Sequence, residues 1–224
     1  MIIGFVGNIG MGKTVSMTAD LIQRQPVRAY TNFKLYNTEN YSRMKLNHII
    51  EQDEDEKSKK WHINFDYWQK QINKHKEFNI YIDELNILCN SRTGQSNVNK
   101  AFNLWTAQIR KILQGSNTSN FVFSTQRPMA IDVGVRDLVH RWILCEKITI
   151  PRLVKTELYN GKTLKLPVSA IKRYVFTNLQ HLMDYLNGDK TRIKKQQQLK
   201  PLIANKYYKY YNTFELVNFG NEYL

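Results

Sequence analysis

The chain has 224 residues, of which 42% are hydrophobic and 12% aromatic, and its formal net charge is +14. This size and composition support one sizeable packed domain with an appendage, and they exclude a largely disordered chain. No run approaches the roughly 18 consecutive apolar residues of a membrane-spanning helix, and the N-terminus lacks a signal-peptide pattern, so we expect a cytoplasmic protein with no membrane span. The two cysteines, Cys89 and Cys145, have apolar neighbours and predict buried thiols rather than a disulfide framework.

Apolar runs bounded by glycine or polar residues predict strands, and apolar residues three and four positions apart predict helices. In chain order these are a strand in MIIGFVG, a helix in KTVSMTADLIQR, a strand in VRAYTNF, a helix in FDYWQKQINKH, a strand in FNIYIDEL, a helix in NKAFNLWTAQIRKILQ, and strands in NFVFSTQ and RWILCEKITI. This alternation predicts the α/β class over residues 1–150, with a mainly parallel central sheet covered by helices on both faces.

Residues 151–224 form a predicted basic C-terminal extension that packs on the core or completes it. They contain 13 Lys and Arg but 5 Asp and Glu. A hairpin is predicted around Asn160-Gly161, and a short helix is predicted to end at Gly188. The net positive charge favours a polyanionic partner, although a lysine-rich solvated surface would give the same composition.

The stretch GNIGMGKT carries the spacing G-x-x-x-x-G-K-T at Gly7, Gly12, Lys13 and Thr14. Such glycines let backbone N–H groups curl around phosphate oxygens, and the helix that follows points its positive end at the anion. In this pattern the lysine reaches the β- and γ-phosphates and the threonine hydroxyl ligates Mg²⁺, so ATP and Mg²⁺ are predicted as ligands. A glycine turn with a surface lysine is the alternative. The predicted nucleotide-binding residues are Gly7, Asn8, Ile9, Gly10, Met11, Gly12, Lys13, Thr14 and Val15.

Two further strand ends carry polar residues suited to the same chemistry. In IYIDEL, Asp83 is predicted to hold Mg²⁺ together with Thr14, and Glu84 to accept a proton from the attacking water or to orient it. An acid pair in solvent is the alternative. In NFVFSTQRP, Gln126 is placed to sense the γ-phosphate, or else it is an ordinary amide in the turn before Pro128. An Asp-Glu pair favours ATP hydrolysis over transfer of phosphate to a bound acceptor.

The set GNIGMGKT, IYIDEL and FVFSTQRPMAIDVGVRDLV resembles the FtsK/HerA superfamily of P-loop ATPases. Among its members the set is most similar to viral genome-packaging ATPases and Zot-like assembly proteins, and the resemblance covers residues 1–150 with an echo at 205–216. It implies a RecA-like core assembled as a homo-oligomeric ring, in which an arginine of the neighbouring subunit completes each ATP site. The candidates are Arg136 and Arg110 first, then Arg127 and Arg92, and a surface ion pair is the alternative for each.

The resemblance leaves several functions open. The first is a viral packaging ATPase that pumps double-stranded DNA into a capsid, in the host cytoplasm and with a capsid vertex or portal protein as partner. The short chain and the P-loop beginning at residue 7 favour it over a longer repair helicase with an N-terminal barrel. The second is a Zot-like extrusion ATPase, a class that typically adds a membrane-spanning segment. The third, of a different class, is a nucleotide kinase.

The basic extension supplies the candidate grip on DNA, since Lys and Arg contact phosphates without reading sequence. A tyrosine cluster lies within it and could stack on the bases of a single strand. Packing of these tyrosines onto the core is the alternative. The cluster consists of Tyr207, Tyr208, Tyr210 and Tyr211.

Overall fold

The computed structural model describes residues 1–52, 60–93, 96–113, 118–159, 162–191 and 197–212, with backbone alone for residues 151–167. In these ranges strands and helices alternate as the apolar pattern predicts, and a small hairpin follows the third strand. The elements are β1 (Ile2–Val6), α1 (Lys13–Gln23), β2 (Arg28–Thr31), β3 (Tyr41–Arg43), β4 (Ile50–Gln52), β5 (Trp61–Ile63), α2 (Phe65–Lys74), β6 (Phe78–Ile82), α3 (Asn97–Ile112), β7 (Phe121–Thr125), α4 (Val133–Arg136), β8 (Arg141–Tyr159), β9 (Lys162–Phe176), α5 (Leu179–Leu186) and β10 (Gln198–Ile203).

The described strands form one eight-stranded sheet in the order β10-β9-β8-β1-β7-β6-β2-β3, with β4 and β5 paired separately. The pairings from β8 through β1, β7, β6 and β2 to β3 are parallel, and those of β9 with β8 and β10 are antiparallel. The predicted mainly parallel sheet is therefore confirmed. Because β7 lies between β1 and β6, the carboxyl ends of these three strands meet at one edge of the sheet.

Both faces of the sheet are covered, as continuous apolar strands require. Strand β1 shows the alternation, since Ile2 and Val6 belong to one apolar cluster and Ile3 and Phe5 to the other. The first cluster lies under α2, α3 and α5 and contains most of the buried aromatic rings, and the second lies under α1. Both cysteines are buried free thiols, as predicted.

The C-terminal extension continues the same sheet. Strand β8 runs through residue 150, and its antiparallel pairing with β9 extends from Trp142 opposite Phe176 to Tyr159 opposite Lys162. The predicted turn at Asn160-Gly161 lies outside the described residues, and the division of the chain at residue 150 stays a prediction. Helix α5 ends just before Gly188, as expected from the sequence.

After β10, the segment from Ala204 to Tyr211 packs back on the α1 face. Ala204 and Tyr211 are buried in that apolar cluster, and Tyr207 packs against it. Leu35 forms a bridge with Tyr211, which ties the segment to the loop after β2. In the ranges that the structure describes, no helix is both long enough and apolar enough to cross a bilayer.

Candidate nucleotide-binding site

The loop between β1 and α1 requires glycine at two positions, because a Cβ there would clash with neighbouring atoms. Gly12 precedes α1 with φ of +89°, and a Cβ on it would lie 2.3 Å from Ile171 Cδ1. A Cβ on Gly7 would lie 2.7 Å from the carbonyl oxygen of Cys145. The backbone thus approaches β8 and β9 closely, and α1 begins without a side-chain cap on its first amides. Free amides at a helix N-terminus form a site for an anion.

The Lys13 side chain lies at this loop and is 6% exposed. Its Nζ donates to the carbonyl oxygen of Asn8 at 3.3 Å and lies 3.8 Å from Glu84 Oε1. The loop also closes on Asn8, whose carbonyl accepts from the Met11 amide at 3.2 Å. A buried ammonium held by these acceptors is a ready partner for phosphate oxygens.

Asp83 is the centre of a hydrogen-bonded group at the end of β6. Thr14 Oγ1 donates to Asp83 Oδ2 at 2.9 Å, and the Ser124 hydroxyl donates to Asp83 Oδ1. The backbone of Asp83 is fixed by the amide side chain of Asn32, through bonds of 2.7 Å to the N–H and 2.9 Å to the carbonyl. Burial raises the pKa of Asp83, and the hydrogen bonds from Ser124 and Thr14 and the charge of Lys13 oppose that rise.

Glu84 occupies a left-handed backbone conformation, with φ of +52°, directly after the strand. Its N–H donates to Ser124 Oγ at 3.0 Å, and its Oε1 accepts from Gln126 Nε2 at 3.3 Å. The side chain is 22% exposed, so a water molecule can reach it. Burial raises the pKa of Glu84, Lys13 lowers it, and the neighbouring charge of Asp83 raises it. The structure therefore brings together the three predicted strand ends.

The residues present fit a magnesium–nucleotide complex. The Thr14 hydroxyl and the Asp83 carboxylate supply oxygen ligands, which Mg²⁺ prefers, and they already lie within a hydrogen bond of each other. Across the described residues no group of three or more His, Cys, Asp or Glu side chains could hold a metal by itself. The pair of oxygen ligands, Thr14 and Asp83, suits Mg²⁺, which is usually held by one or two carboxylates together with waters and substrate phosphates.

The four arginine candidates fall in different places. Arg136 lies on α4 after β7, and its Nη1 contacts Met129 Sδ at 3.1 Å. Arg92 and Arg127 line a cavity of about 430 Å³ that also contains Gln126. Arg110 instead lines a cavity with Met1, Ser119 and His140, where the strands begin. Arg110 is therefore at the opposite edge of the sheet from the P-loop and cannot reach that site within one chain.

Sequence reasoning missed Ser124 and Asn32, which orient the acidic pair. Both polar residues are fully buried, Ser124 within β7 after the apolar run Phe121–Phe123 and Asn32 directly after β2, and a polar residue at such a position was the available signal. It also missed a cavity of about 600 Å³ beside the P-loop, because its far wall comes from distant parts of the chain. That wall consists of Lys147, Ile171, Tyr208, Tyr211 and Asn212.

No family model and no curated protein matches the sequence. The chain is similar in structure to the N-terminal domain of zonular occludens toxin from Neisseria meningitidis, at 13% identity and a TM-score of 0.54, over 94% of this chain and 98% of that one. It also matches the genome packaging NTPase B204 of Sulfolobus turreted icosahedral virus 2, crystallised with ATP-gammaS, at 15% identity and a TM-score of 0.42, over 64% of this chain and 74% of that one. The likeness to the toxin domain confirms the predicted fold.

Proposed function

We propose that the chain is a Mg²⁺-dependent ATPase that moves double-stranded DNA, in the manner of a viral genome-packaging motor. The observation that carries the proposal is the contact of three strand ends, through which Thr14, Asp83 and Glu84 face the same point beside Lys13. A metal ligand pair, a carboxylate and a buried cation at one place are the parts that phosphoryl transfer to water requires.

Each side chain has a defined task in this proposal. Lys13 exchanges its present acceptors for β- and γ-phosphate oxygens and offsets their charge. Thr14 and Asp83 would hold Mg²⁺, which would neutralise part of the phosphate charge. Glu84 orients the attacking water and accepts its proton.

Gln126 is placed to report on this reaction. Its Nε2 donates to Glu84 Oε1, so a change at the γ-phosphate that moves Glu84 also moves the end of β7. Arg127 follows directly, and its N–H donates to Thr125 Oγ1 at 3.3 Å. This chain of contacts offers a route from hydrolysis to the neighbouring surface that carries Arg92, Arg127 and Arg136.

The DNA part of the proposal depends on charge and on assembly. The net charge of +14 and the excess of Lys and Arg in residues 151–224 support binding to a phosphate backbone without base reading. The arginine candidates lie outside the contacts that hold the acidic pair, which supports a ring in which a neighbour's arginine completes the site. A capsid vertex or portal protein would be the partner of such a ring.

The test is ATP hydrolysis with Mg²⁺ by the full chain and its Glu84→Gln variant, each with and without double-stranded DNA. Removing a general base typically costs 10²–10⁴-fold in rate, so we expect the variant to lose roughly that much. Glu39→Gln is the matched control, because Glu39 is exposed and lies outside the site. The wild type should be stimulated by DNA, and the stimulation should weaken as salt rises.

Two outcomes would contradict the proposal. Hydrolysis by Glu84→Gln at the parental rate would show that the assigned active site is wrong. Phosphorylation of a nucleoside monophosphate by the wild type would identify a kinase and contradict the proposed motor function.

A Zot-like virion-assembly ATPase is the second candidate function. It is supported by the structural likeness to the toxin domain, which extends over 94% of the chain and so includes the antiparallel strands beyond residue 150. Under this alternative the same ATPase site operates, but free double-stranded DNA does not stimulate it. The DNA arm of the hydrolysis assay therefore separates the two candidates.

A further inference from the structure

The cavity of about 600 Å³ beside the P-loop is lined by two chemically different sets of residues. One set is Gly10, Gly12, Lys13 and Thr14, which suit phosphate groups. The other set comes from β8, β9 and the segment after β10. A cavity of this volume is in the range of small-molecule and cofactor sites, and it is larger than a phosphate group alone requires.

The second set contains two aromatic rings and an aliphatic side chain, together with Lys147 and Asn212. Ile171 lies against Gly12, and Tyr208 and Tyr211 follow on the same wall with ring centroids 6.4 Å apart. The phenol of Tyr211 is neutral at physiological pH, and burial raises its pKa further. Flat uncharged rings beside an aliphatic side chain suit a flat aromatic ligand group.

This wall is held in place by the core. Tyr211 is 8% exposed and shares the α1-face cluster with Val15 and Ile171. The Tyr36 N–H donates to the Tyr210 carbonyl at 2.8 Å, and Asn37 Nδ2 donates to the Lys209 carbonyl at 2.8 Å. Tyr208 is 38% exposed, so its ring is available from the cavity while its backbone is fixed.

We propose that Tyr208 and Tyr211 form the subsite for the base of a bound nucleoside triphosphate, with the ring of Tyr208 stacking on the base. The inference rests on the proposed nucleotide binding at the P-loop and extends it to a second set of residues. It assigns these two tyrosines to the nucleotide rather than to the bases of a DNA strand. Aromatic stacking accepts every base, so the subsite adds affinity with modest base preference.

The test compares the binding of two Mg²⁺ complexes, those of ADP and of pyrophosphate. Neither ligand is hydrolysed in the same way as ATP. Their dissociation constants are measured by calorimetry for the full-length wild type and for Tyr208→Ala, Tyr208→Phe, Tyr210→Ala and Lys13→Ala. Only ADP carries a base, so a stacking residue and a phosphate-binding residue give different patterns.

Tyr208→Ala should weaken ADP binding about 5- to 150-fold, which is the range of base–aromatic stacking, and should leave pyrophosphate binding within about twofold. Tyr208→Phe should retain ADP affinity, because the ring remains. Tyr210→Ala is the matched control on the same segment, since Tyr210 does not line the cavity. This variant should bind ADP and pyrophosphate as the wild type does. Lys13→Ala should weaken both ligands.

Equal binding of ADP by Tyr208→Ala and the wild type would overturn the inference and leave the proposed function standing. So would an equal loss for ADP and pyrophosphate. A wild type that binds neither ligand would overturn the proposed function and the base subsite together.

Discussion

Replacing Ser124 with alanine removes one hydroxyl that serves both acidic residues. The hydroxyl donates to Asp83 Oδ1 and accepts from the Glu84 N–H at 3.0 Å, and Ser124 is fully buried. The variant therefore loses a hydrogen bond to a buried carboxylate and leaves a backbone donor without this partner. It adds no atoms, so packing is otherwise unchanged.

The magnitude follows from the two bonds. A hydrogen bond to a charged group contributes about 1.5–3 kcal/mol, and an unsatisfied buried donor costs about 1–3 kcal/mol. We expect Ser124→Ala to lower the free energy of unfolding by about 2.5–6 kcal/mol at pH 8. The loss should be smaller at pH 5, because protonation of Asp83 becomes easier once the Ser124 hydroxyl no longer lowers its pKa.

Urea unfolding at both pH values measures this effect, and Ser119→Ala is the matched control. Ser119 is also buried, at 1% exposed, but its hydroxyl has no hydrogen-bond partner among the described residues. Its replacement should change the free energy of unfolding by less than about 1 kcal/mol. If Ser124→Ala is no less stable than Ser119→Ala, the assigned hydrogen bonds do not stabilise the site and the reasoning fails.

Three further variants test other parts of the site. Burial raises the pKa of Glu84 above its ordinary value of 4.5, so the ligand-free protein should lose stability as pH rises from there through the folded-state pKa. The Glu84→Gln variant should lose less stability over this pH range. Urea unfolding from pH 4 to 8 that gives the same change in the free energy of unfolding for both proteins would contradict this prediction. Gly12→Ala should abolish tight nucleotide binding, because it combines a φ of +89° with a clash against Ile171. Gly10→Ala adds only backbone strain of about 1–2 kcal/mol, because its φ is +77° and the space around its Cβ is open. Equal nucleotide-binding constants for the two variants would refute the distinction. Asn32→Leu should lower kcat more than it raises KM for ATP, since the two lost bonds position Asp83 rather than contact substrate, and an unchanged kcat would argue against that role.

The sheet and the phosphate loop were predictable because their signals are local. The run MIIGFVG and the glycines after it combine burial, strand length and turn chemistry within a few residues, and the structure confirms the strand and the helix that follows. The edge on which Asp83, Glu84 and Gln126 meet followed from parallel strands alone.

Contacts between distant segments were not predictable in the same way. The packing of Ile171 on Gly12 joins residues far apart in the chain, and no periodicity or motif encodes it. The position of the tyrosine cluster was likewise not predictable from its own sequence. Tyr211 enters the core under α1 only because the chain returns to that face after β10. Sequence gives the chemistry of such residues but not their neighbours.

The contact between Gly12 and Ile171 has a mechanical consequence. Ile171 is on β9, directly opposite Lys147 of β8, and β9 also pairs with β10. The antiparallel strands therefore lie against the loop between β1 and α1 at Gly12. We expect a displacement of β9 at Ile171 to change the conformation of this loop, and a change in the loop to displace β9.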